Sequence, residues 1–245
     1  MFGEIKRVFY YSLDFYLQKI LLVALFSLPF LLAFLVPLLV PAPTYLAAGG
    51  LFIRTGSLPE FSLIDILLII FAYAVSLFVI ADTIVNINIL IRSRRTLNET
   101  TSEMLSAIPT HVLKIFVFFT AMFLLHFVLQ LLLYDTPFQT TLYPLISFLL
   151  SFILFFIPPA VVIDNADLFS ASKFSIELAL RKPHLVLSWL FFAAFLLVFS
   201  KIFGDLIFSG VFAQYLVLLL NSIVFLPFLI ILQTEMYMEK YPLAR

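Results

Sequence analysis

The chain has 245 residues, 64% of them hydrophobic and 11% charged, with no formal net charge and a mean hydropathy of +1.17. A soluble domain carries about a quarter charged residues, so this composition excludes a water-facing surface over most of the chain and makes lipid its main solvent. The balanced charge gives no footprint for nucleic acid, and the absence of cysteine excludes disulfides and thiolate chemistry.

The first segment, 2-FGEIKRVFYYSLDFYLQK-19, is too polar for a cleaved signal peptide. Glu4, Arg7, Asp14 and Gln18 fall on one side of a helix and Ile5, Val8, Phe9, Leu13 and Tyr16 on another, the pattern of a helix lying in a membrane interface. Six apolar runs follow, at about Ile20–Val40, Leu63–Ile84, Val112–Leu133, Tyr143–Ile163, Leu185–Phe203 and Val211–Gln233. Each is long enough to cross a bilayer as a helix. The fold class predicted is therefore an all-α integral membrane protein of six transmembrane helices, a single polytopic domain over 1–245. Pro29, Pro37 and Pro227 lie inside these runs and predict kinks.

Six crossings put both termini on one side. Lys6, Arg7, Lys19, Arg92, Arg94, Arg95, Lys114, Lys173, Arg181, Lys182, Lys240 and Arg245 share that side, against Arg54 and Lys201 on the other. The positive-inside rule makes the terminal side cytoplasmic, so the protein is expected to be multi-pass in a cell membrane. The glycosylation sequon at Asn98 then faces the cytoplasm and carries no weight.

Two more interfacial pieces are expected on that side. In the run after Asp164, Ser170, Lys173, Glu177 and Arg181 form a polar stripe, with Phe169, Ile176, Ala179 and Leu180 on another face. Asp164, Asn165 and Asp167 stand at its start, where they are expected to cap free N–H groups, and Pro183 marks its end. A weaker version covers 98-NETTSEMLSAIPTH-111. Each piece precedes two spans, which suggests three repeats, 1–91, 98–165 and 166–235. The runs 156-FIPPAVVIDN-165 and 225-FLPFLIILQT-234 share a Phe-x-Pro register and a polar exit, and 79-VIADTIVNIN-88 fits without the proline.

The run PPAVVIDNADLFSASKFSIELAL resembles a pattern in a broad group of prokaryotic polytopic membrane proteins, among them the membrane domain attached to some glycerophosphodiester phosphodiesterases. In that pattern an apolar span ends in an aliphatic-acid step, here Val162-Ile163-Asp164, followed by a short amphipathic helix of the form Ala-x-x-x-Ser, here Ala171 and Ser175 with Lys173 between them. The resemblance implies a membrane module without an activity of its own; the phosphodiesterase chemistry of such proteins belongs to a soluble domain that this chain has no room for.

Polar groups inside the spans are the candidate sites, because burial in hydrocarbon is costly. Asp82 and Asn86, one turn apart with Asn88 nearby, line a polar pocket or else meet interfacial water and Arg92. His126 and Gln130 relay a proton or hold a ligand, or else fasten a neighbouring helix; Asn221 faces the same choice. Arg92, Arg94 and Arg95 either contact anionic lipid headgroups or only set topology. No metal, cofactor or nucleophile motif is specified.

Three readings follow. The first is a non-catalytic module, acting as scaffold or partner subunit or handling lipid in a Phe-rich groove, with membrane lipids and another membrane subunit as its expected partners. The second is a small-solute or ion transporter with a polar path between repeats. The third is an intramembrane enzyme.

Overall fold

The computed structural model describes residues 2–36, 62–96 and 108–240. Every regular element among them is helical: α1 (Phe2–Gln18), α2 (Ile20–Leu35), α3 (Leu63–Thr96), α4 (Leu113–Leu132), α5 (Gln139–Ile153), α6 (Ile157–Ile163), α7 (Leu168–Arg181), α8 (Pro183–Ile207), α9 (Val211–Leu220) and α10 (Leu226–Met238). Two short π-helical turns interrupt this order, Ile108–Val112 before α4 and Asn221–Phe225 between α9 and α10. Five stretches are long and apolar enough to cross a membrane: Leu63–Ser93, Ile108–Leu132, Gln139–Ile163, Pro183–Ile207 and Val211–Met238. The α1–α2 pair, bent by 90° at Lys19, brings the number to as many as six. The chain is an all-α polytopic membrane protein.

Several boundaries differ from the sequence expectation. The second span does not end at Ile84; α3 continues to Thr96. Its 34 residues are roughly 51 Å long at 1.5 Å per residue, well beyond a hydrocarbon core of about 30 Å. Ser62 and Asp65 form a capping box at its start, with the Ser62 amide and hydroxyl both donating to Asp65 Oδ2 at 3.0 and 2.7 Å. Asp82 lies seventeen residues further on, roughly 26 Å along the axis, so these two carboxylates bracket about one hydrocarbon thickness.

The fourth span is not one helix. It breaks at residues 154–156 between α5 and α6, because Pro158 and Pro159 supply no N–H to continue the ladder. The sixth span also departs from α geometry just before its proline, at the Asn221–Phe225 turn ahead of Pro227, where a kink was expected. By contrast, α2 runs through Pro29 as a single helix, and Pro37 lies outside the described residues. The proline-free stretch 79–88 is regular α-helix. Of the expected interfacial piece at 98–111, residues 98–107 lie outside the described residues, and 108–111 belong to the π turn that leads directly into the third span.

Burial is distributed by height rather than by face alone. The lower part of α3 is enclosed: Ala81, Val85, Ile87, Ile89 and Ile91 are buried, whereas Leu63, Ile64, Leu67, Ile70 and Phe71 at its upper end are exposed. The other spans repeat this. Leu185 and Val186 at the start of α8 are buried and Phe191, Phe195 and Leu206 further along are exposed; α10 is buried through most of its length and α9 shows Val211, Phe212 and Tyr215 outward. The helices converge in a packed base and splay above it, where exposed apolar side chains are at no disadvantage in lipid.

Both described ends of the chain meet at this base. The α1 helix lies across it, stacking Phe9 on Phe192 at 4.9 Å and setting Phe9 and Tyr16 edge-on to Phe228, each at 5.8 Å. Arg7 grips Glu239 through Nε and Nη2, and Glu4 takes Lys182 Nζ and His184 Nε2, both at 3.1 Å. Hydrogen bonds from Lys182, then from His184, hold the Glu4 carboxyl below its usual range, and the bond to Glu239 raises the already high affinity of Arg7 for its proton.

Above the base, small residues allow close approach between spans. Ser76 of α3 donates to the Ala33 carbonyl of α2 at 2.6 Å. At the α8–α9 hairpin, a Cβ on Gly204 would stand 2.5 Å from Val217 Cγ2 and 3.2 Å from the Ala213 carbonyl oxygen. Gly210, at φ +65°, makes the turn between these two helices.

Candidate functional site

Two sets of polar and apolar groups stand out, one in the base and one above it. In the base, the strap 162–167 between α6 and α7 collects donors from three spans. Arg92 Nη1, at the end of α3, donates to the Val162 carbonyl at 2.8 Å and to Asn165 Oδ1 at 3.2 Å. Lys114 Nζ, in the first turn of α4, donates to the Ala166 carbonyl at 3.2 Å. From α10 and just beyond it, the Tyr237 hydroxyl and Lys240 Nζ both reach Asp164 Oδ2 at 2.6 Å. The Lys240 ammonium also lies over the Phe174 ring, 4.5 Å from its centroid.

This geometry corrects the cap assignment. Asp167 alone caps α7, accepting from the Phe169 and Ser170 amides. Hydrogen bonding from Ser170 keeps its carboxyl below the usual range. Asp164 and Asn165 instead finish α6: Asp164 is its C-cap, and Asn165 takes the left-handed conformation at φ 53° that ends helices at this position. The headgroup assignment of Arg92 changes as well, since its guanidinium is engaged by the strap. The side chains of Arg94 and Arg95 lie outside the described residues.

The α7 helix has three faces, not two. Ala171, Ser175, Leu178 and Ala179 are buried against the base. Phe169, Ile176 and Leu180 form an exposed apolar stripe, and Lys173, Glu177 and Arg181 form the charged one. Ala179 was expected beside Phe169; it packs inward instead, fully buried beside Leu178. Ser175 has the most specific role. Its hydroxyl accepts from the Phe156 amide at 2.9 Å and donates to the Ile153 carbonyl at 2.8 Å, bridging the two sides of the break in the fourth span. Gln233 of α10 closes the same break by donating to the Phe155 carbonyl.

Directly above this repaired break lies a partly enclosed chamber of about 590 Å³ to which all six crossing segments contribute. Phe30, Phe34, Phe118, Phe119, Phe152 and Phe155 supply much of its wall. Among the described residues no charged side chain lines it, and its polar side chains are Ser151, His126, Gln233 and the indole of Trp189. Trp189, the chain's one tryptophan, is fixed by its Nε1–H to the Leu229 carbonyl at 2.7 Å and by an edge contact with Phe155 at 4.9 Å.

The intramembrane candidates divide around this chamber. His126 lines it, with Nδ1 2.7 Å from the Met122 carbonyl of its own helix and its ring edge-on to Tyr143 at 6.3 Å. It thus bonds within its own helix instead of fastening a neighbour through a hydrogen bond. Gln130, one turn away, does not line the chamber. Asp82 accepts from Asn86 Nδ2 at 3.1 Å. Ile80 and Ile84 point their face of α3 into the chamber, and Asp82, two residues from each, lies on the far side of that helix. Asn88 is buried and joins two spans, with Nδ2 donating to Ile84 O at 2.7 Å and Oδ1 2.6 Å from the Thr234 hydroxyl. Asn221 begins the π turn of the sixth span, its Oδ1 buried without a partner among the described residues. The structure therefore does not bring Asp82–Asn86 and His126–Gln130 together into one path.

Sequence reasoning missed Ser175 as a bridge, Gln233 as a clasp and Trp189 as a wall. The signal for the first two was the Pro158-Pro159 pair, which frees carbonyls that some neighbour must satisfy. Comparison with family models, with curated proteins and with solved structures returns no match.

Proposed function

We propose that this protein is a non-catalytic lipid-handling module of a cell membrane, lodging the apolar chain of a membrane lipid in the Phe-lined chamber. The chamber carries the reading: its volume is that of an ordinary ligand site, its wall is apolar with a few polar groups, and its lining residues come from the apolar spanning segments. A water-filled path for ions needs polar lining, which this chamber has at only a few points. The likeness of the strap and α7 to the membrane domain attached to some glycerophosphodiester phosphodiesterases supports the same reading. Lys6, Arg7, Lys114, Arg181, Lys182 and Lys240 belong to the base or its edge, and by the positive-inside rule this basic share supports a cytoplasmic side for the base and both termini. The exposed stripes Tyr10–Leu13–Leu17 of α1 and Phe169–Ile176–Leu180 of α7 then rest in the inner leaflet.

Native mass spectrometry of gently purified protein tests this. A retained lipid is expected on the wild type, and weaker retention by Met122→Trp, whose larger side chain narrows the chamber. A wild-type spectrum of bare protein alone, or lipid retained equally by Met122→Trp, contradicts it.

A further inference from the structure

The polar groups of the chamber specify the head of its occupant. A carbonyl oxygen only accepts, so the contact between His126 Nδ1 and Met122 O fixes the proton on Nδ1. In the neutral imidazole, Nε2 is then an acceptor with no hydrogen of its own. Gln233 spends one amide hydrogen on the Phe155 carbonyl, leaving its oxygen as a second acceptor and one further N–H as a donor. Among the described residues the lining offers no lysine or arginine to an anionic head and no carboxylate to a cationic one, so an ionised head would lack a charged partner there.

We infer that the chamber takes an uncharged amphiphile whose apolar chain ends in a hydroxyl group, the hydroxyl donating to Nε2 of His126. This rests on the chamber's taking an apolar chain, as proposed above. A hydroxyl suits the site because it can donate to the imidazole; an ether or ester oxygen only accepts and leaves Nε2 unmatched. A buried group left without its partner is what discriminates between such ligands.

Trp189 lines the same chamber and is the sole tryptophan, so its fluorescence reports occupancy without labelling. The probes are a long-chain alcohol brominated along its chain and the methyl ether of that alcohol. They are compared at equal mole fraction in nanodiscs holding the full-length protein. The alcohol should quench Trp189 at a roughly three- to tenfold lower mole fraction than the ether, the range one net hydrogen bond supplies. His126→Phe should bring the alcohol to the level of the ether while leaving the ether's quenching unchanged. His126→Gln, which retains an acceptor, should keep part of the preference and serves where the Phe variant does not fold. Equal quenching by both probes in the wild type overturns the hydroxyl assignment and leaves the lipid reading standing. A preference that survives His126→Phe undiminished overturns the role of His126. Absence of quenching by either probe removes the occupied chamber itself.

Discussion

At the scale of single residues, the account depends on side chains that satisfy backbone atoms. Ser175 is fully buried and serves both an amide and a carbonyl of the broken fourth span. Ser175→Ala should leave the Phe156 amide buried and unpaired, a cost of about 1–3 kcal/mol, read as a lowered thermal midpoint in detergent. Ser172→Ala, which removes only a bond to its own helix at Leu168 O, should shift that midpoint little. Glu4 supplies a pH dependence. Hydrogen bonds from Lys182 and His184 hold its carboxyl below the ordinary glutamate value of 4.5, so its contribution is present above that pH and is lost as pH falls through the lower folded value. Amide exchange along residues 2–18 should therefore rise on acidification below about pH 4.5 in the wild type and already be elevated, without that acid step, in Glu4→Gln; a protected α1 in both contradicts the latch. None of these partnerships could be read from the sequence. Ser175 and Gln233 are ordinary polar residues there, and what gives them work is the location of freed carbonyls, which only the folded break creates. Asp167, by contrast, was legible as a cap, because a cap is a local contact.

Among elements, the interfacial helix was legible and its faces were not. A sequence pattern separates polar from apolar positions, but a helix seated on a membrane protein meets protein, lipid and water, and both protein and lipid favour apolar side chains. Size separates most of them: Ala171, Ser175 and Ala179 go inward together with Leu178, while Phe169, Ile176 and Leu180 go outward. Large side chains on the inward face should therefore be far more damaging than polar ones on the outward face. The α8–α9 hairpin makes the same argument more sharply. Gly204→Leu would place its Cβ within 2.5 Å of Val217 Cγ2, and overpacking of this kind costs about 1–3 kcal/mol or more. Loss of thermal stability by Gly204→Leu, with Gly3→Leu unaffected because Gly3 has open space around it, is the expected pattern. Equal behaviour of the two variants would speak against a close hairpin. The departure before Pro227 was expected from proline placement and the break before Pro158 was not; α2 runs unbroken through Pro29, which shows that proline marks a site where a break is permitted and that neighbours decide whether it occurs.

For the molecule as a whole, the helical class and the presence of five or six apolar spans follow from hydropathy, because lipid imposes one length and one backbone solution on every span. The gathering of the core at one end does not follow. A continuous apolar run looks the same whether its side chains meet lipid or another helix: Ile64, Ile66 and Ile70 are exposed and Ile87, Ile89 and Ile91 are buried, yet they are the same residue in sequence. The division into a polar-stitched base and splayed spans around an apolar chamber is the central claim, and Trp189 in vesicles tests it most directly. Its emission should lie at short wavelength, be quenched by phospholipids brominated in mid-chain, and be untouched by aqueous iodide or acrylamide. Long-wavelength emission reached by the aqueous quenchers and spared by the brominated lipids would mean that water fills the space between the spans.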